Sequence, residues 1–182
     1  MHRLAAGNED YPLGVSRRLV FAAVLACAVA LALPAAAYAP PPGAGVFVPG
    51  ESLGGVRLGM TEQDVLATWG KRHGVCKECR EPTWYFNYKP FAPEGTGVVF
   101  DRGRVAQAFT VWRPTGWRTP DGLYLAADAS DVARIYGSLD KRQCVHYEAL
   151  LIPGKKVTSV FYVFRDRVWG FGLMRPGASP CL

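Results

Sequence analysis

The sequence predicts an α+β fold made of two tandem units. Each unit is a short helix followed by a three-stranded meander, and together they form one antiparallel sheet with the short helices on one face. Three observations carry this prediction. A sixteen-residue segment, Gly55 to Gly70 (GVRLGMTEQDVLATWG), returns sixty-seven residues later as Gly122 to Gly137 (GLYLAADASDVARIYG). Each copy is followed by β-rich runs separated by turn residues. Cys76 and Cys144 fall six and seven residues after the glycines that close the two copies.

Within the segment the physics is local. Thr61 and Asp128 stand where a helix N-cap belongs, each with a side-chain oxygen for the free amides of the first turn. Asp64 and Asp131 occupy the third helical position, as in a capping box, and favour the positive end of the helix. Met60 and Val65 are spaced as a hydrophobic staple, and Val65 and Trp69 share one helix face, as do Val132 and Tyr136. Gly70 and Gly137 supply the stop. A helix of about eight residues is too short to stand alone and must dock on a sheet.

The run Leu58-Gly59-Met60-Thr61 with Val65 resembles the BamE-like outer-membrane assembly lipoproteins. It is also similar to the secreted β-lactamase inhibitor protein, which carries such a unit twice. The resemblance covers two segments of about sixteen residues, and the second copy has Ala126-Ala127-Asp128 in place of Gly-Met-Thr. It implies α+β units that act by binding proteins, and it transfers no contact residue to this chain.

Taken in order, the chain begins with Arg17-Arg18, an uncharged run from Leu19 to Leu33, and Pro34 before Ala35-Ala36-Ala37. That is the pattern of a cleaved signal peptide over residues 1–37, which places the product in the cell envelope or outside the cell. An uncleaved anchor and lipidation at Cys27, in the loose lipobox Val24-Leu25-Ala26-Cys27, are the membrane-bound alternatives. Residues 38–50 read as a Pro/Gly-rich linker, with Val46-Phe47-Val48 as an added edge strand. Residues 51–182 form the two-repeat domain, with units at about 51–113 and 119–182.

In the first unit the strands are Trp84 to Tyr88, Thr96 to Phe100 and Val105 to Trp112, the last two joined by Asp101-Arg102-Gly103. Residues 114–120 connect the units. In the second, the strands are Val145 to Ile152, Val157 to Phe164 and Val168 to Met174. Residues 175–182 are a tail, tied down if Cys181 is bonded.

The chain carries a net charge of +6 over 182 residues. Losing residues 1–37 removes three basic and two acidic residues and leaves +5. That charge suits an acidic partner or an anionic envelope, but it is too diffuse to argue for nucleic acid. Four cysteines remain beyond residue 37, an even count for an oxidising compartment. Cys76–Cys79 and Cys144–Cys181 are read as disulfides. A zinc site from Cys76, Cys79, Cys144 and His146 is the competing use of these residues, and export argues against it. Gly50-Glu51-Ser52-Leu53-Gly54 matches the hydrolase elbow but lacks the strand before it and the long helix after it. No catalytic residue, metal or cofactor is expected.

Two short helices cannot cover both faces of the sheet, yet the strands carry aromatics at both parities. Trp84, Tyr85, Tyr88, Trp112, Trp117 and Tyr162 are therefore the candidate ligand-binding residues. Arg102, Arg104, Arg165 and Arg167, which bracket the two hairpin turns, are the candidate anion-binding rim. The expected function is a non-catalytic binding module with a protein as its partner. A structural envelope protein held by lipid or an anchor, and an enzyme of unknown type, are the alternatives.

Overall fold

A computed structural model describes residues 42–87, 95–112 and 116–182. Residues 1–37, read as a signal peptide, with Cys27, Tyr88 and the first residues of the linker and connector, lie outside the described residues. Along the chain run β1 (Ala44–Val48), β2 (Ser52–Leu53), α1 (Glu62–Trp69), β3 (Gly74–Cys76), β4 (Thr83–Phe86) and β5 (Gly95–Asp101). They are followed by β6 (Arg104–Val111), β7 (Gly116–Arg118), α2 (Ala129–Tyr136), β8 (Asp140–Gln143), β9 (Glu148–Ile152), β10 (Thr158–Phe164) and β11 (Arg167–Met174).

These elements correct the expected fold. Strands take 46% of the described residues and helices 12%, so the protein is mostly β rather than a pair of α+β units. Among the described residues the main sheet has eight strands, in the order β3-β4-β5-β6-β11-β10-β9-β8, with every pairing antiparallel. A second sheet, β2-β1-β7, takes β1 from the segment read as linker, β7 from the connector and β2 from the start of the domain, and its β1–β7 pairing is parallel. The unexpected strands are short and lack apolar periodicity. β3 is Gly-Val-Cys, and β8 is Asp-Lys-Arg-Gln with all four residues exposed. Backbone pairing with a neighbour, rather than side-chain pattern, recruits them.

The helices begin for different reasons. The Thr61 hydroxyl oxygen accepts from the Asp64 N–H (3.2 Å), and Asp64 Oδ2 accepts from the Thr61 N–H (2.9 Å), a complete capping box. Those bonds from Thr61 hold the Asp64 carboxyl below its ordinary pKa. At α2 the expected cap is not made. The Asp128 carboxylate instead faces Arg167 Nη1 at 3.2 Å, and Asp131 pairs with Arg134 at 2.8 Å. Both long hairpins turn through two residues with positive φ, Arg102-Gly103 (50° and 70°) and Arg165-Asp166 (49° and 59°). These are turns of the mirror-image kind, whose twist suits paired strands.

Both helices and the small sheet pack on the same face of the large sheet. Val65, Trp69 and Val132 from the helices, with Phe47, Leu53 and Trp117 from the small sheet, join one core with Phe86, Phe100, Phe161 and Phe171. At its centre the Phe47 ring stacks on Phe171 (5.1 Å, 15°) and meets Phe161 edge-on (5.5 Å). Residues 44–48, read as linker, thus contribute a fully buried anchor to the core.

Candidate functional site

The opposite face of the large sheet carries no helix among the described residues. Its side chains form a second, smaller cluster built from Phe109, Val111, Cys144, Ala149, Val160, Tyr162 and Met174, with Tyr85, Val99, Tyr147, Leu151 and Trp169 half-buried around it. Glycines shape this face. A Cβ at Gly97 would lie 2.3 Å from the Phe109 ring, and one at Gly172 would lie 2.8 Å from the Tyr162 hydroxyl oxygen. Where the sheet surface is bare backbone, large rings lie across it instead of standing up from it.

A bulge adds an aromatic to the surface. Tyr162 pairs with Gly170 but Val163 pairs with Val168, so Trp169 is an extra residue in β11. The slip lets Val168 and Phe171 both reach the helix-side core, while Trp169 joins the opposite cluster. There its ring lies 5.2 Å from Tyr147 and 6.3 Å from Phe164, and Tyr147 in turn meets Tyr162 edge-on at 5.7 Å. The Arg165 guanidinium sits 5.1 Å above the Phe164 ring. Trp112, 44% exposed and with φ of 55°, donates its N–H to the Trp169 carbonyl oxygen at 2.6 Å. Tyr147, Trp169 and Phe164 thus form a row of partly exposed rings at one end of this face, with the Trp112 backbone bonded beside it.

The segment after β11 covers part of that face. β11 ends at Met174, beside Thr158. Cys144 lies just before β9, whose first residue pairs with Val163 at the other end of β10. The Cys144–Cys181 disulfide therefore draws residues 175–181 back along the sheet and across β10 and β9. Pro180 is buried along this route, and the Leu182 N–H donates to the Tyr147 hydroxyl oxygen. Such a strap explains why Val160, Tyr162 and Ala149 are inaccessible on a face without helices. Burial drives the Tyr162 phenol far above its ordinary pKa and raises that of Tyr147 as well.

The five candidate aromatics among the described residues do not gather in one place. Tyr85 lies on the helix-free face with its ring 6.2 Å from Phe109, and Trp112 is exposed at the end of β6. Trp84 points to the helix side, where His73 stacks on it at 4.1 Å. Trp117 and Tyr162, expected at the surface, are fully buried. Trp117 is packed in β7 against Trp69 and under Gly45. Sequence reasoning missed Tyr147, Phe164 and Trp169. A bulge was needed to bring Trp169 out, and strict alternation along β11 conceals it.

The four arginines do not converge either. β6 and β11 are antiparallel neighbours, so their hairpin tips lie at opposite ends of the sheet, about 25 Å apart for strands of this length. Arg104 is turned to the Gly59 carbonyl (3.2 Å), and Arg167 to the Ala126 carbonyl (3.4 Å) and Asp128. They tie the loops before the helices to the hairpins instead of forming an anion site. Both expected disulfides are formed, Cys76–Cys79 and Cys144–Cys181. Ser52 of the elbow-like motif is buried in β2. No helix among the described residues is long and apolar enough to cross a membrane.

No family model and no curated protein matches this chain. Two solved structures are similar to it. One is an extracellular protein containing an SCP domain from Bacillus anthracis strain Ames, at 14% identity and a TM-score of 0.47. The likeness covers 65% of this chain and 44% of that one, so this chain spans less than half its length. The other is a DUF4309 family protein from Bacillus subtilis, at 13% identity and a TM-score of 0.46, covering 63% of this chain and 78% of that one.

Proposed function

We propose that the protein is an exported, non-catalytic module that binds another protein through the helix-free face of its eight-stranded sheet. The observation that carries this reading is the row of partly exposed rings on that face, Tyr147, Phe164 and Trp169, with Arg165 at its margin. Rigid aromatics beside an arginine are the side chains that dominate protein interfaces, because they bury large area at little entropic cost. Export is supported by the signal-like residues 1–37 and by two disulfides, which persist where the medium is oxidising. The net positive charge favours an acidic partner.

A photo-cross-linking amino acid at Trp169, compared with one at Tyr124 in the helix-side layer, tests it. Exposed to the proteins of its own envelope or culture fluid, the Trp169 version should form a discrete protein adduct that the Tyr124 version does not. Equal labelling from both positions, or none from either, contradicts the reading.

A further inference from the structure

The two edges of the large sheet are unlike. β8 presents Asp140, Lys141, Arg142 and Gln143, all exposed, and Lys141 is held by Glu148 at 3.6 Å. Charged side chains along an edge strand are the usual protection against pairing with another chain. β3, at the other edge, is Gly74-Val75-Cys76 and carries no charge. Its side toward β4 is paired, and Gly74 and Val75 are exposed.

Three further features surround this unprotected edge. Val75 is 56% exposed and pairs with Trp84, on which His73 stacks, so an apolar ledge runs beside backbone that no other described strand pairs. The Cys76–Cys79 disulfide closes the turn that leaves β3, so the edge is held in its extended form before anything binds. Lys71, Arg72, Lys77 and Arg80 flank it against Glu78 and Glu81, an excess of two positive charges among exposed residues. None of the four cations makes an ion pair among the described residues.

We propose that the β3 edge takes up an extended acidic segment of a protein partner as a ninth strand of the large sheet. The identity of the partner as a protein rests on the function proposed above, but the edge is a separate site from the aromatic row. Main-chain hydrogen bonds to β3 supply affinity that does not depend on sequence. Apolar side chains of one parity settle on Val75 and Trp84, and carboxylates meet the four cations. A second copy of this chain fits less well, because it would bring the same positive charges to the same edge.

The probe is a seven-residue peptide alternating glutamate and valine, titrated into the disulfide-intact protein and followed by backbone amide NMR. Saturable shifts centred on residues 74–76 and 83–86 are expected. Val75→Glu, which gives β3 the kind of charge that protects β8, should abolish them. Joint reversal of Lys77 and Arg80 to Glu should weaken binding about tenfold, two exposed ion pairs being turned into repulsions. A valine–lysine peptide should not bind. No saturable binding of the acidic peptide, binding indifferent to Val75→Glu, or shifts at β8 overturn the proposal. So does a dimer that Val75→Glu dissolves, since the edge would then belong to a second copy. Trp169→Ala should leave the titration unchanged, so failure at the edge and failure at the aromatic row are read separately.

Discussion

The Tyr162 ring lies across Gly172, close enough that a Cβ there would sit 2.8 Å from the hydroxyl oxygen and 3.1 Å from Cε2. The ring is completely buried, and Gln107 Nε2 donates to its hydroxyl oxygen at 3.4 Å. An added methyl would therefore press on a fully buried ring. Gly172→Ala is expected to destabilise the protein by about 1–3 kcal/mol, the usual cost of overpacking a filled site. Chemical denaturation measures it, and an unchanged midpoint would mean that the ring is free to move.

The strap makes a separate prediction. Removing the Cys144–Cys181 bond in a Cys144→Ser, Cys181→Ser protein frees a loop closed over a sequence separation of 37. On the chain-entropy account the loss is about 4 kcal/mol. Stability should fall by that order, and Tyr147 and Tyr162 should gain accessibility to solvent quenchers or to a hydrophobic dye. Loss of stability with no new exposure would mean that the strap does not cover the face.

Acid should weaken the start of α1. The Asp64 carboxyl is held below its ordinary value of 3.8, chiefly by its hydrogen bonds with Thr61. A lowered folded-state pKa contributes stability above the unfolded value, and that contribution is lost as pH falls through the folded value. Asp64→Asn removes the titrating group. Between about pH 5 and pH 2 the variant should therefore lose less stability than the wild-type protein, as measured by thermal unfolding across that range.

Much of the local structure was legible in the sequence. Thr61, Asp64 and Gly70 mark α1 because capping is set by neighbouring residues, and Arg102-Gly103 marks a hairpin for the same reason. The Cys144–Cys181 bond was readable from cysteine count and placement. The fold class was not. Two helices with matched sequences suggest a helix-led repeat, whereas no side-chain period announces the short strands β2, β3, β7 and β8. Asp128 shows the limit of local reasoning, since a suitable N-cap was diverted by Arg167, 39 residues away in sequence. At the candidate site, Tyr85 and Trp112 were readable as surface aromatics. Trp117 and Tyr162 were not readable as core, because their burial depends on β1 and on the strap.

Paired capture tests the helix-free face most directly. Purified protein lacking residues 1–37 is immobilised as wild type, as Phe164→Ala/Trp169→Ala, and as Tyr124→Ala, the last on the helix-side layer. Each is exposed to the same envelope and culture-fluid proteins, and the bound proteins are quantified by mass spectrometry. Hot-spot aromatics cost about 2 kcal/mol or more each when truncated. A specific acidic protein should therefore be retained by the wild type and by Tyr124→Ala, and depleted at least about tenfold on the double variant, with all three equally folded. Equal retention by the double variant and the wild type would contradict binding through that face.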